Sequence, residues 1–162
     1  MVIGINCNGL VGKRESLLAN IDILKPLVFC IQETKYMKKG QFQAKDFEIF
    51  EHVRPTRGGS ILTGVHCSLN PILVSDGMEE GIEILVVEGS LGYKKCSFIN
   101  GYGPQDTADI NKRINFFAHL KEEIIKAKLQ GTLTLFRLRG GGLYGPTDLI
   151  FNSRALSLKI TP

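Results

Sequence analysis

Three groups of polar residues close apolar, strand-like runs in this chain: Asn6 with Asn8, Glu33 with Lys35, and Asn100 with Tyr102 and Gln105. A hard cation such as Mg²⁺ takes one or two carboxylates, keeps several waters and draws its remaining ligands from substrate phosphate. Glu33 is the one acidic residue in these groups, and so the natural metal ligand. One carboxylate surrounded by amides and a phenol suits a metal-bound phosphate attacked by water. Each group alone is weak: Asn8-Gly9 is also an ordinary turn signal, and a lone glutamate at a strand end is commonly a solvated surface residue.

The elements that must position these groups can be read from periodicity. Val2 to Cys7 is short, rich in β-branched residues and runs into Asn8-Gly9, which predicts a strand. From Lys13 to Leu24, the residues Leu17, Leu18, Ile21 and Leu24 fall on one helical stripe, which Pro26 ends. Leu27 to Ile31 is a continuous apolar run, the mark of a strand covered on both faces. Strand, helix and strand make a βαβ-like unit, with the adjacency of its two strands left open. In open α/β sheets, ligands gather at the carboxyl ends of such strands. Phe47 to Val53 and Ser60 to Cys67 predict two more strands around a loop holding Pro55, Arg57, Gly58 and Gly59. The β-rich stretch continues through Pro71 to Val74, Ile82 to Val87 and Cys96 to Tyr102. Asp109 is placed to cap a second helix reaching Leu129, with Ile114, Phe117, Leu120, Ile124 and Ala127 as its buried stripe. Thr132 to Phe136 starts a further strand, and the stretch from there to Pro162 has no clear period.

With 162 residues, 43% hydrophobic and 22% charged, the chain has the composition of one globular domain, which excludes a wholly disordered or fibrous protein. No apolar run approaches the roughly 20 residues that cross a bilayer. Met1 to Leu10 lacks the basic start and small-residue cleavage site of a signal peptide, so an intracellular protein, nuclear or cytoplasmic, is the expectation. Cys7, Cys30, Cys67 and Cys96 are widely spaced and form no C-x-x-C, which points to reduced thiols, most of them in the core. The formal net charge of +4 is unevenly held. Residues 1–131 carry 16 basic and 15 acidic side chains, while Arg137, Arg139, Arg154 and Lys159 face Asp148 alone. Charge therefore says little about what the main body binds.

Taken in order, the polar groups carry a resemblance. Ile5-Asn6-Cys7-Asn8-Gly9-Leu10, then an amphipathic helix, then Leu24-Lys25-Pro26 leading into Cys30-Ile31-Gln32-Glu33-Thr34-Lys35, resembles the N-terminal half of the endonuclease/exonuclease/phosphatase superfamily. Arg57-Gly58-Gly59-Ser60-Ile61 is similar to that family's glycine pair ahead of a central strand, and Asn100-Gly101-Tyr102-Gly103-Pro104 to its N-x-Y-x-P motif. The wording is closest to apurinic endonucleases, exonuclease III and the endonuclease modules of non-LTR retrotransposons, over Val2 to Leu135.

The resemblance implies a DNase I-like, four-layer α/β sandwich, with residues 1–135 as the N-terminal part of that domain and 136–162 as a basic tail outside it. It implies that Glu33 holds Mg²⁺, or Mn²⁺ in its place, and that Asn6 contacts the scissile phosphate or supports the site. Asn8 would lie near the metal, Tyr102 would reach the phosphate through its hydroxyl, and Gln105 would contact the nucleic-acid backbone. DNA is the implied substrate, cut as a phosphodiester by metal-activated water. A non-catalytic remnant of a retrotransposon-type endonuclease is one alternative. A phosphatase for phosphoinositides or small phosphate esters is another, since fold alone does not fix function.

In that family the chemistry also depends on a C-terminal half, where G-D-x-N supplies an aspartate for the attacking water and S-D-H sets a histidine on the phosphate. Neither motif is present: after Leu133-Thr134-Leu135 the chain reads Phe136-Arg137-Leu138-Arg139. His52, His66 and His119 read as packing or surface residues, and Asp148 with Asn152 has the wrong spacing to stand in. Without a positioned base and a second phosphate-binding cation, hydrolysis loses much of what preorganises its transition state. A truncated or frame-shifted gene is the favoured reading of the tail, and a genuine diverged ending is the other. A truncated fold is expected to hold about one sheet with its helices. Its inner face, with Ile61, Leu62, Val65, Ile84, Val86, Phe98 and Tyr102 as candidates, would then be uncovered and would drive homodimerisation or docking of the missing C-terminal half.

Overall fold

In the computed structural model, residues 1–54, 59–77, 82–104 and 108–130 are described in full and 133–139 by their backbone. The run that ends at Asn8-Gly9 forms β1 (Val2–Asn6), and the apolar run after Pro26 forms β2 (Val28–Gln32). The two lie side by side in parallel, with Val2 opposite Val28 and Asn6 opposite Gln32. Between them α1 (Arg14–Leu24) buries Leu17 and Ile21, whereas Leu24, at the end of the expected stripe, is exposed. Lys25 is left-handed and its N–H closes on the Ile21 carbonyl at 2.8 Å, after which Pro26 cannot continue the helix.

β3 (Phe47–His52) and β4 (Ile61–His66) extend this sheet antiparallel, giving the order β1-β2-β4-β3. A second sheet has the order β5-β6-β7-β8, from β5 (Ile72–Asp76), β6 (Glu83–Leu91), β7 (Lys94–Tyr102) and β8 (Leu133–Arg139). β8 runs parallel to β7, and the connection between them carries α2 (Ile110–Leu129). The Asp109 side chain caps α2 by accepting from the Asn111 N–H at 2.7 Å, as its position predicts. Gln105, Arg57, Gly58 and residues 140–162, with Asp148 and Asn152 among them, lie outside the described residues.

The two sheets face each other. Val28, Cys30, Phe50, Ile61 and Val65 of the first meet Leu85, Val87, Cys96 and Phe98 of the second. Outside the first sheet, Leu17 and Ile21 of α1 pack on Phe29, Ile31 and Leu62. Outside the second, Phe116 and Leu120 of α2 pack on Ile84, Val86 and Ile99. The expectation of a single sheet with a bare inner face is therefore corrected: two sheets are present, that face is the central core, and the argument for a dimer drawn from it falls away. Ile61, Val65 and Phe98 point inward with Tyr102 at the margin, but Leu62, Ile84 and Val86 face the helices. The strand period of two sends neighbouring residues to opposite faces, so a shift of one position exchanges the layers.

The same kind of shift corrects α2. Its buried residues are Phe116, Leu120 and Ala127, with Ile124 partly buried, while Ile114 and Phe117 stand 57% and 55% exposed. The sheet takes the first of two adjacent phenylalanines rather than the second. Cys7, Cys30 and Cys96 are buried and Cys67 is exposed, matching the reading of most cysteines as core residues. No helix among the described residues is long and apolar enough to cross a membrane.

Gly64 shows how closely α1's side of the first sheet is packed. It lies opposite Phe29 on β2, and a Cβ added there would meet the Phe29 ring at 2.0 Å. That ring is fully buried between Phe42 and Phe47, with centroids at 6.0 and 5.0 Å. Gly64→Ala is therefore expected to destabilise the fold by about 2–3 kcal/mol through overpacking, read as a lower urea midpoint at unchanged slope.

Candidate functional site

β2 is followed by two residues of unusual backbone. Glu33 and Lys35 are both left-handed, at φ 55° and 56°, on either side of buried Thr34. Such a conformation is unfavourable for residues with a Cβ and persists where neighbours hold it. Here they do so from two sides. The N–H groups of Gly9 and Leu10 donate to the carbonyls of Glu33 and Thr34 at 2.7 and 3.0 Å. The N–H groups of Thr34 and Lys35 donate to the carbonyls of Ser60 and Gly59, each at 3.0 Å.

The Glu33 side chain is thereby set, half-buried, at one end of the sandwich. The Asn6 amide and the Tyr102 hydroxyl both donate to its Oε1, each at 2.8 Å. Asn6 Oδ1 in turn accepts from the Asn8 N–H at 3.2 Å. Asn8 Oδ1 accepts from Lys35 Nζ at 2.5 Å, and Lys13 Nζ donates to the Cys7 carbonyl. Of the residues expected from sequence, Asn6, Asn8, Glu33, Lys35 and Tyr102 come together across the two sheets. Gln105 lies outside the described residues.

Asn100, one step back along the same face of β7, is a link between the sheets rather than part of the rim. It is fully buried, accepts from Gln32 Nε2 at 3.2 Å and donates to Leu62 O, Thr63 Oγ1 and Ile31 O at 2.9, 3.3 and 3.4 Å. Gln32 Nε2 also reaches Gly101 O at 2.7 Å. These bonds fix β2 against β7 immediately below Glu33 and Tyr102.

The histidines take the environments expected of them. His52 stands 4.0 Å from Asp76, which also binds Lys39 at 3.4 Å; burial lowers the His52 pKa while Asp76 pulls it back up. His66 Nδ1 accepts from the Ser68 N–H, and His119 is half-buried on α2.

Sequence reasoning missed Glu83. It opens β6 opposite Tyr102, its side chain is 2% exposed, and it pairs with Arg54 Nε at 3.0 Å. Burial pushes its pKa from 4.5 up to about 7, against Arg54 and the Ser60 N–H, which pull it down. Glu33 adds to the rise. The signal was a single acid inside the apolar run Ile82 to Val87, three residues after Glu80. Because the folded state holds this proton more tightly than the unfolded chain, ionisation of Glu83 costs stability as pH rises from about 4.5 to 7, on the order of 3 kcal/mol in all. Glu83→Gln is expected to remove that slope, so thermal unfolding at pH 5 and pH 8 should differ less in the variant than in the parent.

The oxygen donors gathered around Glu33 suit a hard cation. Among the described residues no three His, Cys, Asp or Glu side chains gather to bind a metal. The fit is thus to the mode in which one carboxylate holds Mg²⁺ and water and phosphate complete its shell.

No family model and no curated protein matches the sequence. Solved structures do match the fold. TDP2 from C. elegans superimposes with a TM-score of 0.58 at 13% identity, over 80% of this chain and 42% of its own. A 3′ phosphatase, NExo from Neisseria bound to a product DNA hairpin, gives a TM-score of 0.63 at 12% identity, over 85% and 56%. An AP endonuclease from Archaeoglobus fulgidus gives 0.58 at 14% identity, again over 85% and 56%. The chain thus spans about half the length of these structures. Two facing sheets flanked by α1 and α2, with these likenesses, give the chain a DNase I-like fold.

Proposed function

We propose that this chain carries the metal-binding half-site of a Mg²⁺-dependent phosphodiesterase that acts on DNA. One observation carries the reading: a single carboxylate oxygen of Glu33, at the end of β2, is held at 2.8 Å by an amide from β1 and a phenol from β7. Two neutral donors on one oxygen hold the Glu33 carboxylate aimed, which a metal ligand needs and a solvated surface glutamate does not. Bound there, Mg²⁺ supplies the charge that polarises phosphate and activates water. Asn6 and Tyr102 steer the carboxylate and border the phosphate, and Asn8, with the Lys35 ammonium on its carbonyl, borders the substrate side. Gln105 is assigned to the nucleic-acid backbone on the resemblance alone. DNA is favoured because the structural likenesses include a DNA-bound phosphatase, an AP endonuclease and a D. rerio TDP2 with single-strand DNA product.

The test is nicking of supercoiled plasmid by the purified chain with Mg²⁺, with EDTA as control. Nicking that EDTA abolishes is the expected result. A folded sample that leaves the plasmid intact sinks the proposal and makes the site a relic. Phosphate release from phosphoinositides with DNA untouched replaces DNA by a lipid headgroup.

A further inference from the structure

We infer that Glu83 is a positioning residue for Glu33, acting through the Gly59-Ser60 turn. The inference rests on the assignment of Glu33 to the metal made above. The left-handed turn at 33–35 is clamped on one side by residues that follow directly from β1. On the other side it hangs on the carbonyls of Gly59 and Ser60, which are themselves left-handed at φ 70° and 68°. Something must hold that second turn in place. Ser60 Oγ donates to Tyr36 O at 3.1 Å and accepts from the Arg54 N–H at 3.0 Å, so its side chain is fully engaged. Against this turn lies the Glu83 carboxylate, whose charged form the nearby Ser60 N–H favours and whose Oε1 takes Arg54 Nε at 3.0 Å.

Glu83 is thus a buried post, rising from the second sheet, around which a turn of the first sheet is wrapped. Gly59 is the residue that permits the wrap: a Cβ there would stand 2.4 Å from Glu83 Oε1. The post and the Tyr102 hydroxyl share one cross-strand pair of β6 and β7, so the unit that orients Glu33 Oε1 also fixes the backbone beneath it. Arg54 balances the buried charge.

Amide hydrogen exchange at one pH tests this in the parent, Glu83→Gln, Glu83→Leu and Arg54→Met. In Glu83→Leu the Thr34 and Lys35 amides are expected to exchange about tenfold faster, while the Phe29 and Ile31 amides in the middle of β2 keep their protection. Glu83→Gln, which keeps the size of the post and an acceptor for Arg54 Nε, should return both rates to within about threefold of the parent. Arg54→Met leaves β6 intact and should show the same local pattern more weakly, which keeps the test open if the leucine variant does not fold. Equal acceleration along the whole of β2 overturns the inference, since general loss of stability then explains it, and so does an unchanged rate at Thr34 and Lys35. Mn²⁺ titration followed by broadening of the Glu33 amide checks the metal separately. Local exchange as expected without Mn²⁺ binding removes the metal role of Glu33 and leaves the hold of Glu83 on its backbone standing.

Discussion

Glu33→Gln is expected to lower Mg²⁺-dependent nicking by roughly 100-fold or more, while Asn6→Leu and Tyr102→Phe each lower it by about 10- to 100-fold. The ranking follows from the geometry. Glutamine keeps the size of Glu33 but loses the charge that a hard cation requires, so the metal itself is lost. Asn6 and Tyr102 act through Glu33, because both donate to the same Oε1 at 2.8 Å. Removing one leaves the other to hold the carboxylate, but with one donor gone the oxygen can swing. Two groups that serve one atom behave as a unit, so the double variant should lose less than the product of the two single losses. Plasmid nicking across a range of Mg²⁺ concentrations reads this out. A loss that high Mg²⁺ restores marks a weaker site, and a loss it does not restore marks direct work on the phosphate. If Glu33→Gln nicks as well as the parent, Glu33 is not the metal ligand.

Some of this site was legible in the sequence and some was not, for physical reasons. Asn6, Glu33 and Tyr102 stood out only when the strand-end groups were taken together and in order, since each alone reads as a turn or a solvated surface residue. The faces of the interior strands were harder. Ile84 to Val87 is apolar at every position, because β6 is covered by the first sheet on one side and α2 on the other. Alternation, the cue that tells inside from outside, is absent from such a strand. α2 failed for a related reason: Ile114 and Phe117 make a second apolar stripe beside Phe116 and Leu120, and only the position of the second sheet decides between them. Glu83 was hidden because Arg54 and the Gly59-Ser60 turn it lies against are more than twenty residues away, between β3 and β4 of the other sheet. The pairing of the sheets itself was missed when the absent motifs were taken to mean an absent sheet.

That pairing includes a buried polar link through Asn100, and breaking it is the second large effect expected. Asn100→Leu should destabilise the fold by about 3–4 kcal/mol, seen as a lower urea midpoint. Leucine matches asparagine in size closely enough to enter, but it offers nothing to the groups that Asn100 now satisfies. The carbonyls of Leu62 and Ile31 and the Thr63 hydroxyl lose a donor, and Gln32 Nε2 keeps only Gly101 O. Gln32 is already poorly served, since its buried Oε1 has no hydrogen-bond partner among the described residues. A second loss on the same fully buried side chain is more costly than the first. Removing the glutamine as well should therefore give stability back: Gln32→Leu with Asn100→Leu replaces both partners by apolar groups, and the double variant is expected to be more stable than Asn100→Leu alone. Additive losses in the cycle would mean that Asn100 and Gln32 stabilise the fold independently. Recovery in the double variant should not bring back nicking, because the link that sets Tyr102 against Glu33 is gone even when the core is repacked. Stability and site geometry separate at this pair, and the Tyr102-to-Glu33 bond is what the separation would expose.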